Sequence, residues 1–364
     1  MNRISSVVRV SAAMLAVGLL QAPRARAADT LPDYTPQPVP AGVIRVYGSD
    51  LAGLVESWEK DFARFHPGVR FQSRFPSSDG WSAGMEAAGA DIGTSGREPV
   101  LTEYLSFDET FGYNPTEIAV ATGAYDIKGK TWAVVIYVNK SNPLTHLTMA
   151  QLDGIFGSQR SGGYDGYQWM PEYARGADKN IRTWGELGLT GKWANKPIQT
   201  YGYANTGMTN FFQLKVFHNG DKWNPNYREY VEYGTKMVSA GAIGQTGSIK
   251  YMLQHELATN PYGIGWTGIP HAADVPEVKP LAIAAKQGGP YIFPTRTTVQ
   301  NRTYPLTRSV YMFLNRAPGR PLSPQVKEFM RFVLSRQGQK DVVQGGSYLP
   351  LTAAFAREQL RKLD

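Results

Sequence analysis

Three short segments place hydroxyl, carboxylate and glycine residues between a predicted strand and a predicted helix. They are GSD at 48–50, SSDG at 77–80 and NTGMT at 205–209. A helix start leaves backbone N–H groups without intrahelical partners, and such groups either hold an anion or are capped by a nearby side chain. TSGR at 94–97 is a fourth such turn, and it adds the fixed positive charge of Arg97. Each turn taken alone is more typical of an ordinary helix cap, and an oxyanion pocket formed by several of them is the alternative.

The segments around the first turns predict a doubly wound α/β arrangement. Strand-type and helix-type segments alternate, an order typical of a mostly parallel sheet with helices on both faces. In open α/β sheets, ligands bind beyond the carboxyl ends of the strands, which is where these turns lie. The predicted elements are a strand in 41–50, a helix in 51–68, a strand in 69–75, a helix in 81–90 and a strand in 91–95.

The rest of the chain continues the same alternation. Strands are predicted in 118–126, 131–140, 196–203, 262–269 and 308–315. Helices are predicted in 147–158, 210–217, 323–335 and 337–346, and the third of these is capped by Ser323. The segment 241–257 is predicted to form a turn followed by a helix. The section between 159 and 196 is rich in Gly, Trp and Tyr and is predicted to form long irregular loops.

The length and composition indicate an ordered chain of two lobes. At 364 residues, with 42% hydrophobic and 19% charged residues, the chain is too long for one ordinary core. A basic start, the apolar run VSAAMLAVGLL and the small residues Ala25-Arg-Ala27 predict a signal peptide over residues 1–27. Its cleavage removes four arginines and no acidic residue, so the formal charge falls from +8 to +4. We therefore expect an exported, periplasmic protein.

Several function classes are excluded by residue types and motifs that the sequence lacks. Without cysteine, thiol catalysis, thiolate metal sites and a lipid anchor on cysteine are ruled out. The five histidines form no cluster with metal-ligand spacing and no G-x-S-x-G elbow occurs, so we expect no metal, no cofactor and no enzymatic activity. No dense basic run with interleaved aromatic residues occurs, so nucleic acid is not an expected partner.

The order of these motifs resembles a known family. The C-terminal run YPLTRSVYMFLNRAPGRPLSPQVKEFMRFVLSRQGQKDVVQGGSYLPL is similar, phrase by phrase, to the phosphate-binding proteins of bacterial ABC phosphate importers. NPLTHLTMAQLDGIFG, KPIQTYGY and YGIGWTGIP are also similar to that family. The resemblance implies an α/β, two-lobed type II periplasmic-binding-protein fold, with a mixed, mostly parallel sheet in each lobe. The implied lobes are 28–125 together with 300–364, and 126–299.

The resemblance also implies which residues contact the ligand. They belong to the first turn, to the Ser-Ser turn and to the turn after KPIQTYGY, where Thr209 offers a hydroxyl one place later than the family does. By position, these residues are Ser49, Asp50, Leu51, Ser77, Ser78, Thr206, Gly207, Met208 and Thr209.

The chain departs from the family at two charged positions. The family has an Asp after the Ser of the third turn, as acceptor for the proton of phosphate, and Gly96 stands there in this chain. The family also has an Arg shortly before the second-lobe turn, and GYAN lacks it. We predict that Arg97 replaces the lost positive charge and that Asp50 accepts the proton, unless Asp50 is only a cap that points away. A carboxylate in the pocket would repel fully ionised sulfate and favour a protonated anion.

The resemblance implies a monomeric binding protein that captures inorganic phosphate between its lobes and delivers it to an ABC permease in the inner membrane. Because both family charges are missing, two alternatives stay open. One is a different ligand, such as sulfate, another oxyanion or a phosphorylated organic molecule. The other is an exported anion-binding protein that is not coupled to transport.

Overall fold

A computed structural model describes residues 30–204, 207–232, 238–239, 245–246 and 248–364. The predicted signal peptide lies outside these residues. No helix in the described part of the chain is long and apolar enough to cross a membrane.

Strands are distributed along the whole described chain. In chain order they are β1 Gly42–Gly48, β2 Val69–Arg74, β3 Ile92–Ser95, β4 Thr116–Thr122, β5 Val135–Asn139, β6 His146–Thr148, β7 Gly163–Asp165, β8 Gln168–Met170, β9 Gln199–Tyr203, β10 Arg228–Tyr230, β11 Val238–Ser239, β12 Gln245–Thr246, β13 Gly263–Thr267, β14 Val278–Pro280, β15 Ala282–Ala284 and β16 Ser309–Leu314.

Helices cover the sheets and connect their strands. They are α1 Leu54–Ala63, α2 Trp81–Ala87, α3 Leu101–Phe111, α4 Met149–Phe156, α5 Gly207–Val216, α6 Ile249–Tyr251, α7 Ile269–Ala272, α8 Arg296–Gln300, α9 Pro324–Val333, α10 Arg336–Gly345 and α11 Ala353–Arg361. Short 3₁₀ turns occur at Ser78–Gly80, Pro171–Tyr173, Ala177–Lys179, Trp184–Leu187 and Gly191–Trp193, and Met252–Leu257 is a π-helical turn after α6.

Two five-stranded sheets with the same plan organise the molecule. The first has the strand order β2-β1-β3-β16-β4, and the second has the order β10-β9-β13-β5-β14. In the first sheet, β16 pairs antiparallel with both of its neighbours, while β1 pairs parallel with β2 and β3. In the second sheet, β5 is the reversed strand, and β9 pairs parallel with β10 and β13. The predicted two-lobed α/β fold with mixed, mostly parallel sheets is confirmed.

Each sheet has its own apolar core. Buried aliphatic and aromatic side chains of β1, α1, β16 and α9 pack together in the first lobe, including Trp58, Phe62 and Phe329. A second cluster surrounds β5, β9 and β13 and includes Trp132 and Trp266. Burial of these large side chains is the main force that holds each lobe together. The two sheets therefore have separate apolar cores.

The predicted start of the first helix is wrong by three residues. The helix begins at Leu54, because Leu51, Ala52 and Gly53 take positive φ angles of 54°, 65° and 84°. These left-handed angles are unfavourable for Leu and Ala. The turn is held by burial of the Leu51 side chain and by the Gly53 N–H, which donates to Asp50 Oδ2 at 2.7 Å. Strain of this kind is found at turns that the surrounding structure holds firmly.

Candidate functional site

The carboxyl ends of three parallel strands form one edge of the first sheet. Ser49 follows β1, and its N–H donates to the Thr94 carbonyl oxygen at 2.9 Å, while Thr94 Oγ1 donates to the Ser49 carbonyl at 2.7 Å. Ser78 follows β2, and its Oγ accepts the N–H of Gly96 at 3.0 Å. The predicted turns at 48–50, 77–80 and 94–97 therefore lie side by side, as parallel strand ends must.

Gly96 fits a crowded position between two hydroxyl groups. A Cβ atom at residue 96 would lie 3.3 Å from Thr131 Oγ1 and 3.4 Å from Ser78 Oγ. The Thr131 hydroxyl also donates to the Gly96 carbonyl oxygen. A larger side chain at this position would require these hydroxyl groups to shift by a few tenths of an ångström.

Arg97 is bound on two sides by carboxylates. Its guanidinium contacts both oxygens of Glu103 at 2.8 Å and Asp79 Oδ1 at 2.8 Å and 2.5 Å. Burial alone would lower the pKa of Arg97, but the hydrogen bonds and charges of Glu103 and Asp79 outweigh it and raise the pKa. Glu103 is itself buried, whereas the Asp79 side chain is 78% exposed at the cleft mouth. The positive charge of Arg97 is therefore already balanced within the first lobe.

The second sheet presents a matching edge. Because β10, β9 and β13 are parallel, the residues that follow them lie together: Glu232 after β10, Gly207 at the start of α5, and His271 in α7. Thr209 is buried, and its hydroxyl donates to the Ala204 carbonyl oxygen at 2.6 Å. Thr206 lies outside the described residues.

The two edges approach each other at Gly207. A Cβ atom at residue 207 would lie 3.0 Å from Arg97 Cδ, and Arg97 is held by its carboxylates. Deeper in the molecule, the Arg308 guanidinium lies 5.0 Å from the centre of the Phe211 ring on α5. Arg308 is buried and paired with Glu98 at 3.0 Å, so it too is a balanced charge.

Glu232 and His271 form a hydrogen-bonded pair on the second edge. His271 Nε2 lies 2.6 Å from Glu232 Oε1, and the two side chains are 7% and 14% exposed. Glu232 Oε2 is buried and has no hydrogen-bond partner in the described part of the chain. The histidine ring also packs edge-on against Trp132, which fixes its position. One carboxylate oxygen is thus held and the other is left unpaired.

A cleft of about 410 Å³ lies between the two edges. This volume is within the range of about 300–1,000 Å³ that is usual for small-molecule sites. Among the described residues, its lining consists of Ser49, Ala52, Ser78, Asp79, Gly96, Arg97, Gly129, Lys130, Thr131, Gly207, Met208, Glu232, Arg308 and Tyr348.

The cleft brings together five of the ten predicted ligand residues. Ser49, Ser78, Arg97, Gly207 and Met208 line it. The other four described members lie in the same turns but are not among the residues that line the cleft. Asp50 Oδ2 caps Gly53, Ser77 Oγ accepts the Asp79 N–H at 3.2 Å, Leu51 is buried in the core, and Thr209 binds the backbone after β9.

Sequence reasoning missed several cleft residues with polar side chains. Lys130 and Thr131 lie on the segment that joins β4 to β5, and Tyr348 precedes α11. Lys130 has no ion pair among the described residues. Burial raises the pKa of the Tyr348 phenol to about 12, so it stays a hydrogen-bond donor at neutral pH. Glu232 was also missed, and the signal for it would have been a strand at 228–230 beside the predicted strand 196–203.

Comparisons with known proteins agree with this architecture. Residues 36–337 match the PBP superfamily domain. The chain is 32% identical to the phosphate-binding protein PstS of Pseudomonas aeruginosa strain PAO1 over 335 residues, which cover 92% of this chain and 90% of that protein. It is 22% identical to the phosphate-binding protein PstS of Staphylococcus saprophyticus, with 89% and 85% of the two chains covered. The crystal structure of PstS from Borrelia burgdorferi has the same fold, with a TM-score of 0.51, 14% identity and coverage of 85% and 98%.

The fold and the interlobe cleft define a binding protein, and the chain belongs to the PBP superfamily. Within it, the chain is a PstS-like member, as the resemblance predicted. The family consists of binding proteins, which agrees with the expectation that the chain is not an enzyme.

Proposed function

We propose that this protein binds inorganic phosphate in the cleft between its lobes and presents it to an ABC permease. The observation that supports this proposal is the convergence of polar strand ends from two sheets on one cleft that also contains Lys130. Two relatives that align over most of their length are phosphate-binding proteins by name.

The cleft offers several kinds of donor to a tetrahedral oxyanion. Lys130 supplies a positive charge that is not balanced by an ion pair in the described chain. Ser49, Ser78 and the Tyr348 phenol supply hydroxyl groups. The start of α5 at Gly207 adds the positive end of a helix dipole, which favours an anion. Donors fixed in a partly dehydrated cleft bind an anion strongly, because they need little reorganisation.

The predicted lobe boundaries are part of this proposal. The segments 123–134 and 304–308 run between the two sheets and hydrogen-bond to each other, with Gly123 N 2.9 Å from the Arg308 carbonyl oxygen. We propose that they act as the hinge between residues 28–125 with 300–364 and residues 126–299. Export to the periplasm and docking on the permease complete the proposed role.

A larger ligand is the second candidate, and the cleft volume favours it. A volume of about 410 Å³ is larger than one phosphate ion needs, so a phosphorylated organic molecule would fit. Competition between phosphate and such molecules separates the two functions.

Calorimetric titration of the mature protein tests the proposal. The protein is first stripped of bound ions by partial unfolding and refolding, and then titrated with phosphate, sulfate and a phosphate monoester. We expect phosphate to bind most tightly. Absence of phosphate binding by a folded protein would refute the proposed function, and tighter binding of the monoester would favour the second candidate.

Two variants test whether phosphate binds in this cleft. Gly207→Val fills the contact with Arg97, so we expect phosphate affinity to fall at least tenfold, which is about 1.4 kcal/mol. Gly345→Val is the control, since a Cβ atom there meets no atom within 4 Å and residue 345 ends α10. Equal phosphate affinity in the two variants would place the site elsewhere.

A further inference from the structure

A β-hairpin of the second lobe reaches toward the first lobe. β7 and β8 pair antiparallel, and the chain reverses between Asp165 and Gln168, where Gly166 has a left-handed φ of 57°. A Cβ atom at residue 166 would lie 3.2 Å from Asn114 Nδ2. Asn114 lies between α3 and β4, a strand of the first sheet, whereas the hairpin lies between β5 and β9 of the second sheet. The turn of the hairpin therefore lies against the opposite lobe.

The two legs of the hairpin are fastened to one carboxylate of α4. Arg160, on the first leg, contacts both oxygens of Asp153 at 2.7 Å and 2.6 Å, and Arg175, on the second leg, lies 3.0 Å from Asp153 Oδ1. The backbones of Arg160 and Arg175 also exchange two hydrogen bonds, at 3.0 Å and 2.9 Å. All three side chains are buried, with exposures of 6–10%. Bidentate ion pairs of this kind fix a geometry, so the hairpin projects from a firm base.

The middle of the hairpin rests on the segment that follows α5. The Tyr164 N–H donates to the His218 carbonyl oxygen at 2.7 Å, and the Tyr173 ring stacks on the His218 ring with 4.0 Å between their centres. α5 begins at Gly207, which lines the cleft, and ends at Val216. One helix thus joins the cleft to the support of the hairpin.

The end of α5 faces the same flank of the first lobe. Burial raises the pKa of Glu117 on β4, and a hydrogen bond from Tyr104 opposes this rise. The charges of Lys362 and Lys215 also lower the pKa of Glu117. Lys215 is the last residue but one of α5, and Glu117 lies three positions after Asn114. The two lobes therefore approach each other at two neighbouring places on this flank.

This flank is distant from the proposed hinge. β4 begins at Thr116, two residues after Asn114, and ends at Thr122, which adjoins the hinge segment 123–134. A strand of this length spans about 20 Å. Rotation about the hinge moves such distant points apart, so opening of the cleft separates Gly166 from Asn114.

We infer that the hairpin of residues 160–175 is a clasp that holds the lobes closed and slows the release of the bound ligand. Its turn docks on Asn114 when the cleft closes, and its base at Asp153 keeps the turn in position. The inference adds a kinetic role to the proposed function and rests on it, because phosphate is the ligand used. Most differences in affinity among variants of one site arise from the dissociation rate, which is the quantity that a clasp changes.

A matched pair of glycine variants tests the clasp. Gly166→Asn puts a side chain into the space beside Asn114, and Asn is one of the residues that tolerate a left-handed φ. Gly188→Asn is the control, because Gly188 also has a left-handed φ, of 85°, and a Cβ atom there meets nothing within 4 Å. We expect labelled phosphate, chased with unlabelled phosphate, to dissociate about fivefold faster from Gly166→Asn and at the original rate from Gly188→Asn.

A disulfide gives a second readout that needs no ligand. The chain has no cysteine, so Asn114→Cys combined with Gly166→Cys introduces a single pair. A Cβ atom at residue 166 would lie 3.9 Å from Asn114 Cγ, which suits a disulfide after small shifts. We expect oxidation of the ligand-free protein to lower the radius of gyration measured by X-ray scattering, and reduction to restore it. Asn114→Cys with Gly188→Cys is the control and should form no intramolecular disulfide.

The outcomes separate the clasp from the proposed function. If phosphate binds and leaves the two folded glycine variants at equal rates, the clasp is wrong while the function stands. If the unmodified protein binds no phosphate, the function fails, and the disulfide alone then decides whether the hairpin closes the lobes. A pair at 114 and 166 that forms no disulfide, or whose oxidation leaves the radius of gyration unchanged, contradicts the clasp in either case.

Discussion

The two edges of the cleft are built to the same plan but use their charges in opposite ways. On the first edge, Arg97 is balanced by Asp79 and Glu103 before any ligand arrives. On the second edge, Glu232 keeps one oxygen unpaired in the described chain. The charge of Arg97 on the first edge is therefore balanced within the lobe, whereas one carboxylate oxygen of the second edge has no hydrogen-bond partner among the described residues.

This difference shows that a charge in a binding cleft need not act on the ligand. Burying a paired charge contributes little net stability, but removing one partner is strongly unfavourable. Arg97 therefore links the turn at 77–80, through Asp79, to Glu103 on α3. Its positive charge is balanced by these two carboxylates. Lys130 lines the same cleft and has no ion pair among the described residues, so we propose that its charge acts on the ligand.

The largest effect is expected on the free energy of unfolding when the ion pair between Arg97 and Glu103 on the first edge is removed. Glu103→Ala leaves the buried Arg97 guanidinium half unpaired and also removes the acceptor for the Val100 N–H at the start of α3. We expect the free energy of unfolding to fall by about 3–5 kcal/mol. Urea denaturation measures this loss.

Asp79→Asn is the control for the first edge, since the Asp79 side chain is 78% exposed. We expect a loss of about 0–1 kcal/mol for this pair at the surface. Similar losses for the two variants would mean that Arg97 is not held mainly by Glu103, and the contrast between the edges would then be weaker.

A smaller effect is expected from removing the unbalanced cation. Lys130→Gln deletes a charged donor in the cleft, so phosphate affinity should fall about tenfold, or about 1.4 kcal/mol. The stability of the protein should stay unchanged. Lys128→Gln removes an exposed charge two residues away and should change the affinity less than twofold. Calorimetric titration with phosphate measures both affinities. Equal phosphate affinities of the two variants would contradict the proposed role of Lys130.

The smallest effect concerns stability alone and lies away from both edges. Burial raises the pKa of Glu59 on α1 from 4.5 to about 7, although Ser73 donates a hydrogen bond to it. A folded-state pKa above the unfolded value means that the folded chain binds the proton more tightly. The stabilisation is complete below pH 4.5 and is lost as the pH rises through about 7.

Glu59→Gln removes this titration while keeping an acceptor for Ser73. At pH 8 we expect the variant to be more stable by about 1 kcal/mol, allowing for screening at a partly exposed position. Denaturation curves between pH 4 and pH 8 should be flatter in the variant, and phosphate affinity should be unaffected. An unchanged pH dependence would show that another group controls it.

The strands and the turns at the sheet edges could be predicted from the sequence, because local patterns of apolar and turn residues determine them. The alternation around β1, β2 and β3 places the turns at one edge, and Ser323 caps α9 as predicted, with its Oγ 3.4 Å from the Val326 N–H. Helix α3 was missed because Val100 precedes it, so its start lacks the hydroxyl or glycine residue that marked the other turns. Helix α11 was missed because it follows a segment that was predicted to be a closing turn.

The site itself was only partly predictable. Lys130 and Tyr348 reach the cleft from a crossing segment and from the C-terminal region, so no local pattern connects them with Ser49 or Gly207. The pairing of Arg97 with Glu103 also depends on the position of α3, which the sequence did not reveal. Turns are local, but the balance of charges in a cleft is decided by packing between distant segments.

The place of β16 has a consequence for how the chain is made. It lies between β3 and β4, although it follows them by almost the whole length of the second lobe. Until residues 309–314 have been synthesised, β3 and β4 each lack the neighbouring strand β16, and their unpaired edges could pair with other chains. The second sheet is made from strands that all precede β16, so it can be complete earlier. The lobe whose sequence begins first is thus the last whose sheet can be completed.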